Sequence, residues 1–452
     1  MKSVIEKYLR KKKKLFACFV DFRKAFDSVW HTGLFLKMQK SGISGRFYKI
    51  IKEMYLSSTL CVKTAGGLTP SFPSNIGVRQ GCSLSPLLFN IFISDLTSSL
   101  DSGNCKPVEL SSKKLSHLLY ADDLVIISES PSGLQSSLDA LHKYCRKWKL
   151  SINTDKTKVV IFSNFRKSSN QSVPLFKIGE NSIEVVEQYK YLGVIFSSNG
   201  SLNLGKALLE KKARRALFGL HSYLSDHSLP PICSLNLYQK IIQPIASYGS
   251  EVWAPYYFSL NGVLKKKCSI FDKFIDSPGA KCLLKFCKRL LGVHEKSVNL
   301  AVLGELGQIP PIVNTLTRCI NFWLHILQSS TDSILYDAYV SSYKDFYDNN
   351  KDKWLQLIKF LCLNFSSLTP TWENHQIDSK SVRKVLFSFK QELVKGFMSF
   401  WSVAVSDMVN NNGPNGGRLS LFSSIKPVFG YEEYLSKIHN TKHRYILTRL
   451  RS

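Results

Sequence analysis

Two adjacent aspartates, Asp122 and Asp123, stand between apolar runs, Leu118–Leu119 on one side and Leu124 through Ile127 on the other. Runs of this kind, rich in Val and Ile, read as buried strands, so Tyr120-Ala121-Asp122-Asp123 falls at the tight turn of a β-hairpin. Neighbouring negative charges repel, and burying them without a partner is costly. A divalent cation is the simplest compensation. Mg²⁺ suits hard carboxylate oxygens, taking one or two of them and completing its shell with water and phosphate oxygens. About a hundred residues upstream, the apolar run Leu15–Val20 ends on a third carboxylate, Asp21. Three carboxylates on two Mg²⁺ ions is the arrangement that in-line phosphoryl or nucleotidyl transfer needs. A lone Asp-Asp pair is an ordinary solvated turn, since turns favour Asp. The third carboxylate and the apolar flanks tip the reading toward metal.

Other side chains can serve the same chemistry. Phe26 lies five residues past Asp21. If that segment turns into a helix beneath a nucleotide, the ring lies against the sugar and excludes a 2′-hydroxyl; otherwise Phe26 is core. Gly77 through Asn90 reads as a strand, a glycine turn and a helix start, with Ser85 as N-cap and Pro86 at the first helical position. Within it, Gly81 allows close backbone approach to a nucleotide, Gln80 can hydrogen-bond a substrate and Arg79 can meet a charged one. Lys156 follows Asn153 and can neutralise or protonate a pyrophosphate leaving group, unless it is simply a surface lysine.

These residues need a frame. A basic helix over 2–14 leads into the Asp21 strand, and its Arg10–Lys14 run is a nuclear import signal, a phosphate contact or a solvated helix end. Arg46–Leu56 reads as an amphipathic helix. Leu60–Thr64 and Phe72–Val78 read as a strand pair around Ala65-Gly66-Gly67. Leu134, Leu138, Leu141, Cys145 and Trp148 recur at helical spacing, which predicts a core-facing helix over 132–149. The strand Val159–Phe162, a polar linker over 163–174 and a second hairpin containing Tyr189–Phe196 follow. In that hairpin Gly193 allows close approach of a backbone.

From about residue 202 the pattern turns helical. Residues 204–221 carry Lys206, Lys211, Lys212, Arg214 and Arg215 among apolar positions, which suits a helix packed on the body with a face toward phosphates. Ile232–Tyr248 reads as one amphipathic helix. Residues 262–400 read as a run of helices broken at Gly292, 307–311 and 366–380, and 410–417 as a loop. No catalytic constellation stands out in this half.

The 452 residues carry 61 Lys+Arg against 33 Asp+Glu, a net charge of +28. That excess calls for a polyanionic partner, and no apolar run reaches the length of a spanning helix, so nucleic acid is favoured over membrane. Eleven scattered cysteines and a polar N-terminus point to reduced thiols in an intracellular protein, nuclear or cytoplasmic and not secreted. Cys282, Cys287 and His294 offer half a zinc site but lack a C-x-x-C pair and a fourth ligand, and read as core and surface residues.

Together the motifs resemble the reverse transcriptase of a non-LTR (LINE-type) retrotransposon. Phe19–Val29 resembles the family's first catalytic motif. Gly77–Phe89 is similar to its template and nucleotide loop, Tyr120–Asp123 to its aromatic-x-Asp-Asp box, Asn153 with Lys156-Thr157 to its lysine motif, and Tyr191-Leu192-Gly193 to its primer grip. Tyr248–Trp253 and Leu290–Val293 resemble segments beyond the thumb. The order and spacing are more specific than any one motif, and cover about residues 15–200. The resemblance implies an α+β right-hand palm, an antiparallel sheet with helices on one face, followed by a helical thumb and a mostly helical C-terminal region. The matching segments are 1–175 (palm with a remnant of fingers), 176–260 (primer-grip hairpin and thumb) and 261–452.

By the same resemblance Asp21, Asp122 and Asp123 hold two Mg²⁺ ions, with Mn²⁺ able to stand in, and an RNA template and DNA primer meet a dNTP there. Phe26 becomes the sugar gate; Arg79, Gln80 and Gly81 contact the nucleotide and template. Lys156 serves the leaving group. Leu192-Gly193 holds the primer end. Phe26 argues against a polymerase that makes RNA, because ribonucleotides need room and a polar partner for the 2′-hydroxyl. Only twenty residues precede Asp21, where the family's core begins well upstream. The expectation is an N-terminally truncated element without endonuclease or zinc knuckle, its fingers supplied by a separate chain or lost. The alternative is an inactive relic or co-opted nucleic-acid binder that keeps the palm.

Overall fold

All six residues of the Leu15–Val20 run are buried, as an unbroken apolar segment requires if it is to be covered on both faces. The computed structural model describes residues 1–101, 106–164, 173–226, 229–259, 269–272, 278–349, 352–365, 379–410 and 420–451. The chain forms two compact units, Met1–Leu202 and Asn203–Ser452. That division falls inside the 176–260 segment of the sequence reading.

The first unit opens with α1 (Lys2–Arg10), β1 (Leu15–Val20), α2 (His31–Lys40), α3 (Gly45–Leu56) and four short strands, β2 (Thr59–Leu60), β3 (Lys63–Thr64), β4 (Gly67–Leu68) and β5 (Phe72–Pro73). It continues through α4 (Ser85–Ile93), α5 (Leu96–Asp101), β6 (Val108–Glu109), β7 (Lys114–Leu115), β8 (His117–Tyr120), β9 (Asp123–Ser128), α6 (Pro131–Trp148) and β10 (Lys158–Phe162). Five strands close it: β11 (Phe176–Ile178), β12 (Asn181–Ile183), β13 (Val185–Val186), β14 (Gln188–Tyr191) and β15 (Val194–Ser197).

The main sheet runs β13-β10-β1-β9-β8. All its pairs are antiparallel except β10 with β13. Side chains alternate across a strand. Phe16, Cys18 and Val20 of β1, with Leu124 and Ile126 of β9, enter the core shared with Leu34, Phe89 and Leu138 of the helices. Phe19 faces the other way and is covered by Tyr189, whose ring stacks on it at 4.5 Å. This is the α+β palm layout.

Beneath the sheet, Lys37 of α2 is buried, pairs with Asp95 at 2.5 Å, bonds the Tyr144 hydroxyl at 2.7 Å and sits 3.7 Å from the Trp148 ring centre. Burial pushes its ammonium down to about 8, against the pull of Asp95. The cluster ties α2 to α6. The helix expected over 132–149 is α6, begun by Ser130, whose hydroxyl accepts from the Gly133 N–H at 3.1 Å, and ended at Lys149 with φ +57°.

Several local expectations need correction. The basic helix stops at Arg10, four residues short, and Lys12 turns with φ +53°. Phe72–Val78 is not one strand. β5 pairs with β2, β3 pairs with β4, and Ile76 makes a lone bridge to Trp30. Pro73 has no N–H to continue the ladder. The linker over 163–174, the break at 366–380 and the loop at 410–417 lie largely or wholly outside the described residues.

The second unit is helical: α7 (Asn203–Asp226), α8 (Pro231–Leu237), a π-helical turn (Tyr238–Ile242), α9 (Gln243–Ala246), α10 (Ser250–Ser259), α11 (Ser269–Asp272), α12 (Pro278–Leu291) and α13 (Asn299–Glu305). The rest are α14 (Pro311–Gln328), α15 (Ile334–Asn349), α16 (Lys353–Phe365), α17 (Ser379–Asn410), α18 (Ser420–Ile425), α19 (Tyr434–Lys437) and α20 (Thr441–Arg451). The single helix read over 232–248 is thus three pieces. Pro244 cannot donate and its ring crowds the carbonyl four residues back, which the wider π turn accommodates. Cys282 and Cys287 of α12 are buried in this unit's core, where desolvation raises both thiols. No described helix is long and apolar enough to cross a membrane.

Candidate active site

Strand register brings the carboxylates together. Val20 of β1 lies opposite Leu124 of β9, and Phe19 opposite Val125. One step further along the same register sets Asp21 against Asp123. Period-two alternation puts both on the face that Phe19 shares, away from the helices. The turn between β8 and β9 is Ala121-Asp122, closed by the pair Tyr120 and Asp123. Asp123 therefore opens a strand, and only Asp122 occupies the turn. Ala121 takes φ +52°, a left-handed conformation that costs a residue with a Cβ about 1–2 kcal/mol.

Asp21 is held by its backbone. Its N–H donates to the Thr157 hydroxyl at 3.1 Å. Its carbonyl accepts from the Asn153 N–H at 2.8 Å, and next to it the Arg23 N–H donates to Ser151 O at 2.8 Å. Lys156 lies exposed on that Asn153–Thr157 turn. The lysine motif and the first aspartate are thereby one local structure.

The Asp123 carboxyl is pushed above the usual carboxylate range, first by desolvation and then by the charges of Asp122 and Asp21. Among the described residues none of the three aspartates makes an ion pair. Beside them, β14 and β15 form a hairpin whose turn residues Leu192 and Gly193 have φ +47° and +79°, the double left-handed geometry of a type I′ turn. Its Tyr191 hydroxyl donates to Asp123 O at 3.4 Å. Burial and the Asp123 charge push that phenol up to about 12. The Tyr189 phenol is also raised, by burial and then by Asp21 and Asp123.

The segment after Asp21 does not become a helix, as the sugar-gate reading supposed. Residues 23–28 form successive turns, Lys24 having φ +44°, and α2 starts only at His31. Phe26 is half-buried and stacks on Phe89 of α4 at 4.6 Å. Its carbonyl accepts from the Val78 N–H, and Val29 O from the Gly77 N–H, both at 2.8 Å. Gly77 is required there: at φ +88°, a Cβ would stand 2.8 Å from the Asp27 carbonyl oxygen.

Gln80 donates to the Asp27 carboxylate at 2.8 Å, and Arg79 reaches Met54 O at 3.1 Å and the Ser58 hydroxyl at 2.7 Å. Both side chains are engaged within the protein. Gly81, at φ +78°, faces open space. Ser85 is the first helical residue and not the N-cap, which is Leu84; its hydroxyl donates to Arg79 O and so ties the loop to α4.

Residues 1–196 match the family described as reverse transcriptase (RNA-dependent DNA polymerase). The RNA-directed DNA polymerase from mobile element jockey of Drosophila melanogaster is 28% identical over 246 residues, which cover 52% of this chain and 25% of that protein. The Pol polyprotein from type-1 retrotransposable element R2 of Popillia japonica is 29% identical over 185 residues, 40% of this chain and 30% of that one. Over residues 1–196 the N-terminal unit is thus similar to reverse transcriptases, and the relatives it resembles are polymerases of retrotransposons. The chain spans about a quarter of the length of the jockey relatives it matches. A solved structure of apo telomerase from Candida Tropicalis covers 75% of this chain and 54% of its own, at 14% identity and a TM-score of 0.34.

In the N-terminal unit the donor set fits a hard divalent cation. Three oxygen ligands repel one another, and none is neutralised by a described lysine or arginine. Among the described residues no three His, Cys, Asp or Glu side chains gather into a ready-made cage. Sequence reasoning placed Thr157 and Asp27 within motifs but gave neither a role. Thr157 is part of the lysine motif and fully buried, but its partner is 136 residues away. Asp27 lies within the first motif, yet nothing local shows that it faces Gln80.

Proposed function

We propose that the chain is the polymerising part of a non-LTR retrotransposon reverse transcriptase, which extends a DNA primer along an RNA template by nucleotidyl transfer from dNTPs. The observation that carries this reading is the register that sets Asp21 against Asp123 with Asp122 alongside. Asp21, Asp122 and Asp123 would hold the divalent ions, which when bound activate the primer hydroxyl and stabilise charge on the phosphates. The protein's own parts do the rest. Asn153 and Thr157 fix the Asp21 backbone. Phe26, pinned by Phe89, fills space beside the sugar and selects deoxynucleotides. Lys156 is free to meet the departing pyrophosphate. The tight Leu192-Gly193 turn supports the primer end. Exposed Lys211, Lys212, Arg214 and Arg215 on α7 supply phosphate contacts for template and primer. We place this activity inside the cell, in nucleus or cytoplasm.

Primer extension with the purified chain tests the reading, using poly(rA), a DNA primer, dTTP and Mg²⁺ beside the Asp122→Ala, Asp123→Ala double variant. Extension by the wild type alone supports it. No extension with salt-sensitive RNA binding intact would leave a palm-fold nucleic-acid binder.

A further inference from the structure

The second unit contains a cavity of about 290 Å³ walled by α7, α8, α12 and α20. Its polar lining combines two arginines, Arg289 and Arg444, with His221 and the hydroxyls of Ser234 and Thr441. Arg444 is only 9% exposed, and among the described residues its guanidinium donates to Leu435 O at 3.4 Å and the Thr441 hydroxyl at 3.2 Å, both neutral acceptors. Arg289 lines the same cavity from α12. Neither arginine pairs with a carboxylate among the described residues. A buried cation without a counter-ion is costly, and leaving it so implies an anion that arrives from outside. His221, 8% exposed, also lines the cavity, and its Nε2 has no hydrogen-bond partner among the described residues. The ring stacks on Phe286 at 5.6 Å. Burial, with the Arg289 and Lys285 charges, pushes His221 down to about 4, so near neutral pH its ring is uncharged and the positive potential in the cavity comes from Arg289 and Arg444.

The cavity is larger than a phosphate alone would fill, since a water occupies about 30 Å³. Its remaining wall is apolar and aromatic: Leu224, Leu290 and Tyr445. The Tyr445 ring is seated over Gly292, where a Cβ would come within 2.4 Å of it. An arginine fork suits phosphate bidentately, and an aromatic wall suits a base.

We propose that this cavity binds a nucleotide through its phosphate, Arg289 and Arg444 holding the oxyanion and the Tyr445 wall meeting the base. The site lies wholly within the second unit and does not depend on the polymerase reading. The nucleotide can be free or the terminal unit of an RNA strand; the chemistry is shared.

The test uses the full chain in EDTA, which removes metal-dependent triphosphate binding at the aspartates. Calorimetric titration compares AMP, adenosine and inorganic phosphate. A second arm compares a 5′-phosphorylated RNA pentamer with its 5′-hydroxyl form. AMP is expected to bind at least tenfold more tightly than adenosine, and Arg289→Gln, on an exposed helix position, to weaken it at least tenfold with melting unchanged. Bound phosphate should also raise the His221 titration, seen by NMR of its ring protons, toward the ordinary 6.5. An Arg289-sensitive preference for the phosphorylated pentamer without AMP binding assigns the site to RNA ends. AMP binding alone assigns it to free nucleotides. If adenosine matches AMP and the two pentamers bind alike, or if Arg289→Gln changes neither arm, the proposal is wrong.

Discussion

In the first unit a spacing in the sequence becomes a position in space. Asp21 closes one buried strand, Asp123 opens the next, and the register aligns them. In the second unit helices bury apolar stripes, and the polar groups that matter there, Arg289, Arg444 and His221, come from helices far apart in sequence. Chemistry on reacting phosphates fixes residue types and their order closely. Helix packing fixes only periodicity, and many side chains satisfy it. The contrast explains why recognisable motifs crowd into residues 15–200 and thin out afterwards.

The contrast can be attacked experimentally, and the largest effect belongs to the aspartates. Asp21→Ala or Asp123→Ala should lower primer extension roughly a thousandfold or more, as loss of preorganised charge does elsewhere, while template binding measured by fluorescence anisotropy holds. Next comes Trp401→Ala. This buried ring packs on Gly304 and donates to Leu300 O at 2.8 Å, and its loss should cost about 3–5 kcal/mol. Calorimetry should show the second unit melting earlier and the first unmoved; one jointly shifted transition would break the separation.

Thr157→Val removes the acceptor of the Asp21 N–H, at about 1–3 kcal/mol. Extension should slow roughly tenfold by that arithmetic, with Thr157→Ser restoring it. Equal rates in all three would show that Thr157 does not position Asp21. A smaller effect is expected on α7. Changing Lys211 and Lys212 to Gln should flatten the dependence of RNA affinity on salt by roughly 0.7 for each phosphate no longer neutralised, leaving the extension rate at saturating template unchanged.

The smallest effect concerns pH. Asp123 binds its proton more tightly folded than unfolded. Its contribution therefore favours the fold below the ordinary carboxylate value of 3.8 and is lost as pH rises through the raised one. At neutral pH, without metal, Asp123→Asn should stabilise the fold by less than about 1 kcal/mol at so exposed a site, read as a raised melting temperature. Below about pH 3 the gain should vanish. A destabilised Asn variant at neutral pH would contradict the repulsion.

What was legible follows the same division. The palm strands announced themselves because β1 and most of β9 are buried on both faces, and the carboxylates because charged residues interrupt such runs. Ser85 was misread as a cap because its hydroxyl turns back to Arg79 O, a contact set by the loop path and not by the Ser-Pro pair. The Gln80 to Asp27 bond spans 53 positions, and no local pattern encodes it. The helix over 232–248 read as continuous because apolar periodicity survives a π turn, while Pro244 marked the break in plain view.

The centre of the palm sheet has a consequence in time. Cys18 of β1 pairs with Val159 of β10, about 140 residues later. A ribosome adding roughly 5–20 residues per second leaves β1 without that neighbour for about 7–30 s. Throughout that interval a six-residue apolar segment has at least one open edge available to any other nascent chain. Newly made protein should therefore depend on chaperones far more than its finished stability would suggest, and truncation before β10 should yield aggregate and not a smaller domain.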